Sequence, residues 1–266
     1  MSENDDAQAD LTDPGLAGWS RPAERLKQAL DKDEFALYCQ PMLALSERSA
    51  ARFPIGEVLV RMREEEQAML PPGEFLPILE HYKMMPQLDR WVVRHLAKRL
   101  AVGARLPAFT MNLSGQTLED PEFPKYVAGV ARAANLKPGS LVFEVEEYEL
   151  LLRQGSVAAI GAALKAEGVG LLIDGYGRKS VSFTPLKNVR PDYVKVEGSI
   201  VRKLLKSTLA RTKLEAILRV AQPMGIQVVA ECVEEPEILE QLRAMGVPYA
   251  QGFGIVQPQP IDDIRL

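Results

Sequence analysis

Short apolar runs alternate with longer amphipathic stretches along most of this chain. Seven of the runs end in, or carry near their end, one polar residue able to bind a metal or handle a proton. They are Ile55-Gly-Glu57, Phe109-Thr-Met-Asn112, Val142-Phe-Glu144, Leu171-Leu-Ile-Asp174, Tyr193-Val-Lys195, Val228-Val-Ala-Glu231 and Tyr249-Ala-Gln251. The runs read as strands and the stretches between them as helices. Residues 86–100 place Leu88, Trp91, Val92, His95, Leu96 and Leu100 near helical spacing. Residues 120–135, 153–167 and 206–222 follow the same period, and residues 235–245 carry Pro236 near the start and Gly246 past the end, the asymmetry of helix caps. Such alternation predicts a TIM-like (β/α)8 barrel, whose strand ends converge on the face where barrel enzymes keep their chemistry.

One departure from the regular barrel is expected. The strand at Phe35–Pro41 is followed by another near residues 53–62 with no helix between them. A parallel crossover needs a dozen or more residues, so these two strands should pair antiparallel. Residues 21–32 read as a short helix closing one end of the barrel. Residues 1–20 lack apolar periodicity and read as a flexible acidic leader, leaving 21–266 as one domain. The acid run Glu64–Glu66 reads as a solvated turn before Pro71-Pro72.

Bulk properties narrow the function. At 266 residues the chain suits a single barrel core. A net charge of −4 gives no basic surface for a DNA or RNA polymer or for an anionic membrane. No apolar run approaches the roughly 20 residues of a membrane span, and the acidic N-terminus lacks a signal peptide's features. Cys39 and Cys232 make no disulfide framework; Cys232 reads as a small buried hydrophobe. A cytoplasmic protein is expected. His81 and His95 read as surface or packing residues.

In a barrel, Glu57, Glu144, Asp174 and Glu231 share one cavity with Asn112 and Gln251. Two like charges 4 Å apart repel by about 4 kcal/mol at an effective dielectric near 20. Lys195 supplies one counter-charge, and Arg61 is a candidate for another. The remainder calls for a divalent cation, and oxygen donors without His or Cys suit Mg²⁺, Mn²⁺ or Ca²⁺. The bland reading of each acid is a helix cap or a solvated loop residue. That reading is even odds for one position and a poor account of the whole set.

These residues resemble the EAL domain family, the cyclic di-GMP phosphodiesterases of bacteria. Gly-Glu57-Val-Leu59-Val-Arg61 is similar to the family's Glu-Ala-Leu-Leu-Arg segment. Gln40-Pro41, Asn112-Leu-Ser, Phe143-Glu-Val-Glu-Glu147, Asp192-Tyr-Val-Lys195-Val-Glu, Val229-Ala-Glu231-Cys-Val-Glu and Gln251-Gly-Phe match further fragments in order, from about Leu26 to Pro260. The resemblance implies that Glu57, Asn112, Glu144 and Asp174 hold Mg²⁺ or Mn²⁺. It implies that Lys195 positions or activates the attacking water and that Glu231 orients water or metal. Gln40, Leu59, Arg61 and Gln251 would contact cyclic di-GMP, and Glu147 would tether the loop after the Asp174 strand.

The chain departs from the family at Asp174-Gly175-Tyr-Gly-Arg178-Lys-Ser-Val-Ser-Phe183, where the family reads Asp-Asp-Phe-Gly-Thr-Gly-Tyr-Ser-Ser-Leu. The second Asp, a ligand of the family's second metal, is Gly175. One metal site is therefore expected to survive. Glu146, two residues beyond Glu144, is a candidate substitute ligand. Gln257 stands where the family has Lys, with Gln259 between the two final prolines. Three functions follow in order of preference: a cyclic di-GMP receptor with weak or no hydrolysis, a working phosphodiesterase giving the linear dinucleotide, and a nucleotide-independent protein-interaction module. The third would use Arg178, Lys179, Val181 and Phe183 as partner surface. The family's homodimer contact runs through this same rewritten loop. Any input signal is expected through the leader, the dimer surface or a separate protein.

Overall fold

The computed structural model describes residues 19–46, 49–64, 69–178 and 182–266. The expected leader lies almost wholly outside these residues, as do most of the acid run 64–66 and positions Lys179 and Val181. Ten strands form one sheet: β1 (Phe35–Ala44), β2 (Ile55–Arg63), β3 (Met69–Leu70), β4 (Phe109–Asn112), β5 (Leu141–Glu146), β6 (Gly170–Tyr176), β7 (Tyr193–Val196), β8 (Gln227–Ala230), β9 (Tyr249–Ala250) and β10 (Gln259–Pro260). The order β1-β9-β8-β7-β6-β5-β4-β2, closed by β1–β2 pairing, makes an eight-stranded barrel; β3 and β10 extend it at the edges.

Seven barrel strands run parallel, and β1 is antiparallel to both its neighbours, β2 and β9. The reversal follows from the short β1–β2 connection. β1 and β2 pair from Phe35↔Met62 to Met42↔Ile55, whereas β4 meets β2 only at Gly56–Val58. The outer half of the β1–β2 ribbon therefore stands above the barrel mouth as a wall. Strand alternation sets Gln40, Tyr38, Glu57, Leu59 and Arg61 on one face of that ribbon.

The helices appear as Met85–Val102, Phe123–Ala133, Gln154–Ala166, Thr208–Ala221 and Pro236–Ala244, close to the periodic stretches. Gly246 follows the last at φ +75°, the left-handed conformation a helix C-terminus favours in glycine. The helix Pro22–Asp31 packs against Pro72–His81 and Met85–Val102. Among the described residues no helix is long and apolar enough to cross a membrane.

Two apolar cores result. The larger lies between the barrel and its helices and includes Phe35, Trp91, Phe109, Phe143, Ile173 and Val194. The smaller plugs the barrel interior with Met42, Ile55, Val142, Leu172 and Val229, flanked by Ala108, Tyr193 and Tyr249. Seven barrel strands contribute one residue each to this plug, and Ala108, immediately before β4, supplies the eighth. A strand turns the same face inward every second residue. The position two residues nearer the mouth on each strand therefore also points inward. Those eight positions are Gln40, Glu57, Thr110, Glu144, Asp174, Lys195, Glu231 and Gln251.

Candidate active site at the barrel mouth

This layer of polar residues rests directly on the apolar plug. Lys195 is its centre, 1% exposed and enclosed by acids. Its Nζ lies 2.9 Å from Glu57 Oε2, 2.5 Å from Glu144 Oε2 and 3.8 Å from Asp174 Oδ1. Glu57 also accepts from Gln251 Nε2 at 2.9 Å and from Asn112 Nδ2 at 3.2 Å. Gln251 donates to Gln40 Oε1 at 3.3 Å, and Gln40 in turn donates to the Val256 carbonyl at 3.0 Å. The Thr110 hydroxyl donates to Glu144. Residues from β1, β2, β4, β5, β7 and the turn after β9 thus form one hydrogen-bonded network. Glu231 stands beside it, its carboxylate taking the Gly198 N–H at 2.7 Å.

Burial opposes the charged form of each acid, and the network decides the outcome. Glu144 is fully enclosed; burial, with repulsion from Glu57, pushes its pKa up to about 8 despite Lys195. Burial also pushes Glu57 upward, but Lys195, Gln251 and Asn112 outweigh it and hold the carboxyl below its usual range. Glu231 rises to about 7 through burial and the nearby Asp174. Burial would lower Lys195, yet Glu144, Glu57 and Asp174 hold it well above the ordinary lysine value. The ammonium is a permanent cation here.

The donor chemistry fits a hard divalent cation, because Glu57, Asn112, Glu144 and Asp174 offer oxygen alone. The charge balance fits as well, with four acids around one lysine. Among the described residues, however, no three acidic, His or Cys side chains already stand in a chelating arrangement. Lys195 occupies the middle of the cluster and is the cation those acids hold in this structure.

The remaining predicted residues line the rim. Leu59 and Arg61 lie half-buried on the β1–β2 wall, and the Arg61 guanidinium lies 5.6 Å from the Tyr38 ring centroid. Glu147 is buried and accepts the Gly177 N–H at 3.2 Å, holding the turn after β6. Glu146 is exposed, in register with Asp174, and the two border one small hollow. Gly175 has φ +65°, at the point where the β6–β7 register slips. Phe183, a partner-surface candidate only if the chain is an interaction module, is half-buried against the core, 6.2 Å from the Tyr176 ring. Cys232, expected to be buried, is half-buried with φ +57°. His95 stacks on Trp91 with centroids 3.8 Å apart, the packing role expected of it.

Two site-supporting residues escape a reading of the sequence. Thr110 is one. Asp89 is the other, buried in the helix Met85–Val102. Its Oδ2 accepts from Ser114 N at 3.1 Å, Ser114 Oγ at 2.8 Å and Thr117 Oγ1 at 2.6 Å. It therefore holds the turn that follows Asn112. Burial raises its pKa to about 6 in spite of these donors. A folded pKa above the unfolded value adds stability at low pH and loses it as pH rises through the folded pKa. The stability difference between wild type and Asp89→Asn is expected to fall between about pH 4 and pH 6 and to stay flat above. Urea midpoints across that range check this, and a pH-independent difference contradicts it.

The EAL domain family model matches residues 23–258. The chain is 31% identical to "Cyclic di-GMP phosphodiesterase PdeF" of Escherichia coli and 30% identical to "Cyclic di-GMP phosphodiesterase PdeB" of Shewanella oneidensis, each across 90% of this chain. It spans 32% and 28% of those relatives, about a third of their length. The crystal structure of the FimX EAL domain from Pseudomonas aeruginosa bound to c-di-GMP superposes with a TM-score of 0.85 at 25% identity, over 92% of this chain and 99% of that one. A mixed α/β barrel with one reversed strand, the acidic mouth and a match over nearly all of the chain lead to one conclusion: this protein belongs to the EAL domain family.

Proposed function

We propose that this chain binds cyclic di-GMP at the barrel mouth and hydrolyses it weakly or not at all. The likeness to the c-di-GMP-bound FimX domain supports the ligand. The ribbon wall supports the mode of binding. Arg61 offers a planar fork suited to a phosphodiester, and Leu59 beside it offers an apolar contact. Gln40 and Gln251 present amide groups at the floor. When bound, a single Mg²⁺ or Mn²⁺ would polarise a phosphoryl oxygen and acidify water, held by Glu57, Asn112, Glu144 and Asp174. Lys195 then orients a water by hydrogen bonding, and Glu231, with its raised pKa, is placed to take a proton at its carboxylate.

The observation that carries weak turnover is Gly175. Backbone without a side chain stands where the family has its second aspartate, and no carboxylate from β6 replaces it. Losing one charge-stabilising group at a phosphoryl-transfer site costs on the order of 10²–10³ in rate. Calorimetry with purified protein, Mn²⁺ and cyclic di-GMP is expected to show saturable heat. None at high micromolar ligand would end this reading.

A working phosphodiesterase is the second reading, and the complete Lys195–Glu57–Glu144 cluster favours it. Chromatography of the reaction decides between them, with Glu57→Ala as the control for contaminating enzyme.

A further inference from the structure

Gly175 leaves a gap that another side chain fills. A Cβ built there would lie 3.2 Å from Arg178 Nη2 and 3.6 Å from Glu197 Oε2. The Arg178 guanidinium reaches back over the mouth end of β6 and is fixed there by its Nε, 2.7 Å from Glu197 Oε2. It borders a small hollow with Asp174, Gly175, Glu146 and Glu147. Glu197, the first contributor, with Glu146 and Asp174 holds the guanidinium pKa above its usual value. The turn beneath it is pinned, since Glu147 accepts the Gly177 N–H and Lys213 Nζ reaches the Gly177 carbonyl at 3.4 Å.

We propose that Arg178 is an anion-binding residue of this site, a cation supplied by the chain that takes a phosphodiester oxygen of the bound dinucleotide. The inference deepens the receptor reading and rests on it. Three features of the geometry support it. The Nε–H is committed to Glu197, which orients the guanidinium with Nη2 beside Gly175 at the mouth end of β6. The fork is preorganised, so less freedom is lost when an anion docks. The rim around it is acidic, with Glu146, Asp174 and Glu197 nearby, so an anionic ligand needs a local counter-charge to approach this side. A carboxylate at position 175 would compete for that guanidinium, and a glycine does not.

The test is affinity for cyclic di-GMP by calorimetry in Mn²⁺, comparing wild type, Arg178→Lys and Arg178→Ala. Arg178 is 59% exposed at its side chain, so neither change should disturb folding; thermal melts verify this. One charge-assisted hydrogen bond at a partly exposed site corresponds to roughly tenfold in affinity. Arg178→Ala is expected to bind about tenfold more weakly, with Arg178→Lys in between. Mn²⁺ affinity measured without nucleotide should be unchanged. Equal dinucleotide affinity in wild type and Arg178→Ala overturns the assignment while leaving the receptor reading intact. So does a parallel loss of Mn²⁺ binding, which would place the effect in the metal cluster. Absence of binding by wild type itself sinks the receptor reading and this one with it.

Discussion

Replacing Lys195 by methionine is expected to destabilise the fold by about 3–5 kcal/mol, the range for removing one partner of a buried ion pair. Methionine keeps an unbranched stem and packs adaptably, so lost volume contributes little. The loss is electrostatic. Glu57, Glu144 and Asp174 all lie within 4 Å of the one ammonium, and without it they face each other across the barrel floor. The apolar plug beneath offers no compensating donor. Added Mn²⁺ is expected to restore part of the stability, because a divalent cation among oxygen donors replaces the missing charge. Urea unfolding at fixed pH, with and without Mn²⁺, measures both effects. A midpoint shift worth less than about 1 kcal/mol would show that the acids are satisfied without Lys195.

Restoring the carboxylate by Gly175→Asp is expected to raise the turnover number by on the order of 10²–10³ under Mn²⁺. Aspartate tolerates the left-handed φ +65° at this position better than most residues, at a cost of about 1–2 kcal/mol. Its Cβ would lie 3.2 Å from Arg178 Nη2, the far end of a largely exposed side chain that needs to shift by only a few tenths of an ångström. The rise should appear in kcat with a modest loss of thermal stability. Single-turnover formation of the linear dinucleotide checks it. An unchanged kcat would mean that the missing carboxylate does not limit the reaction.

The barrel was legible because its interior repeats a simple rule, an apolar plug residue followed two positions later by a polar one. Glu57, Glu144, Asp174, Lys195, Glu231 and Gln251 stand out after apolar runs for that reason. Thr110 obeys the same rule and was invisible, since threonine is an ordinary strand residue and signals no chemistry. Asn112 stood out in its place, one inward position higher. Asp89 was hidden in a helix whose pattern accommodates polar residues, although its place between Leu88 and Trp91 on the buried side was a usable signal. The short helices Glu147–Leu152 and Thr184–Val189 are too brief for a 3.6-residue period to register. The helix Pro72–His81 went unassigned, and Pro77 in its interior weakens any helical signal there. The pairing of Arg178 with Glu197, which fixes the guanidinium, is a tertiary fact with no local trace.

The reversed direction of β1 has a mechanical corollary. Its first residue, Phe35, sits at the outer tip of the ribbon beside Met62, so the polypeptide enters the barrel from the side on which the ligand is expected to dock. The ladder with β2 runs unbroken from that tip down to the Gln40↔Glu57 pair, so the chain's point of entry and the floor of the site belong to one two-stranded ribbon.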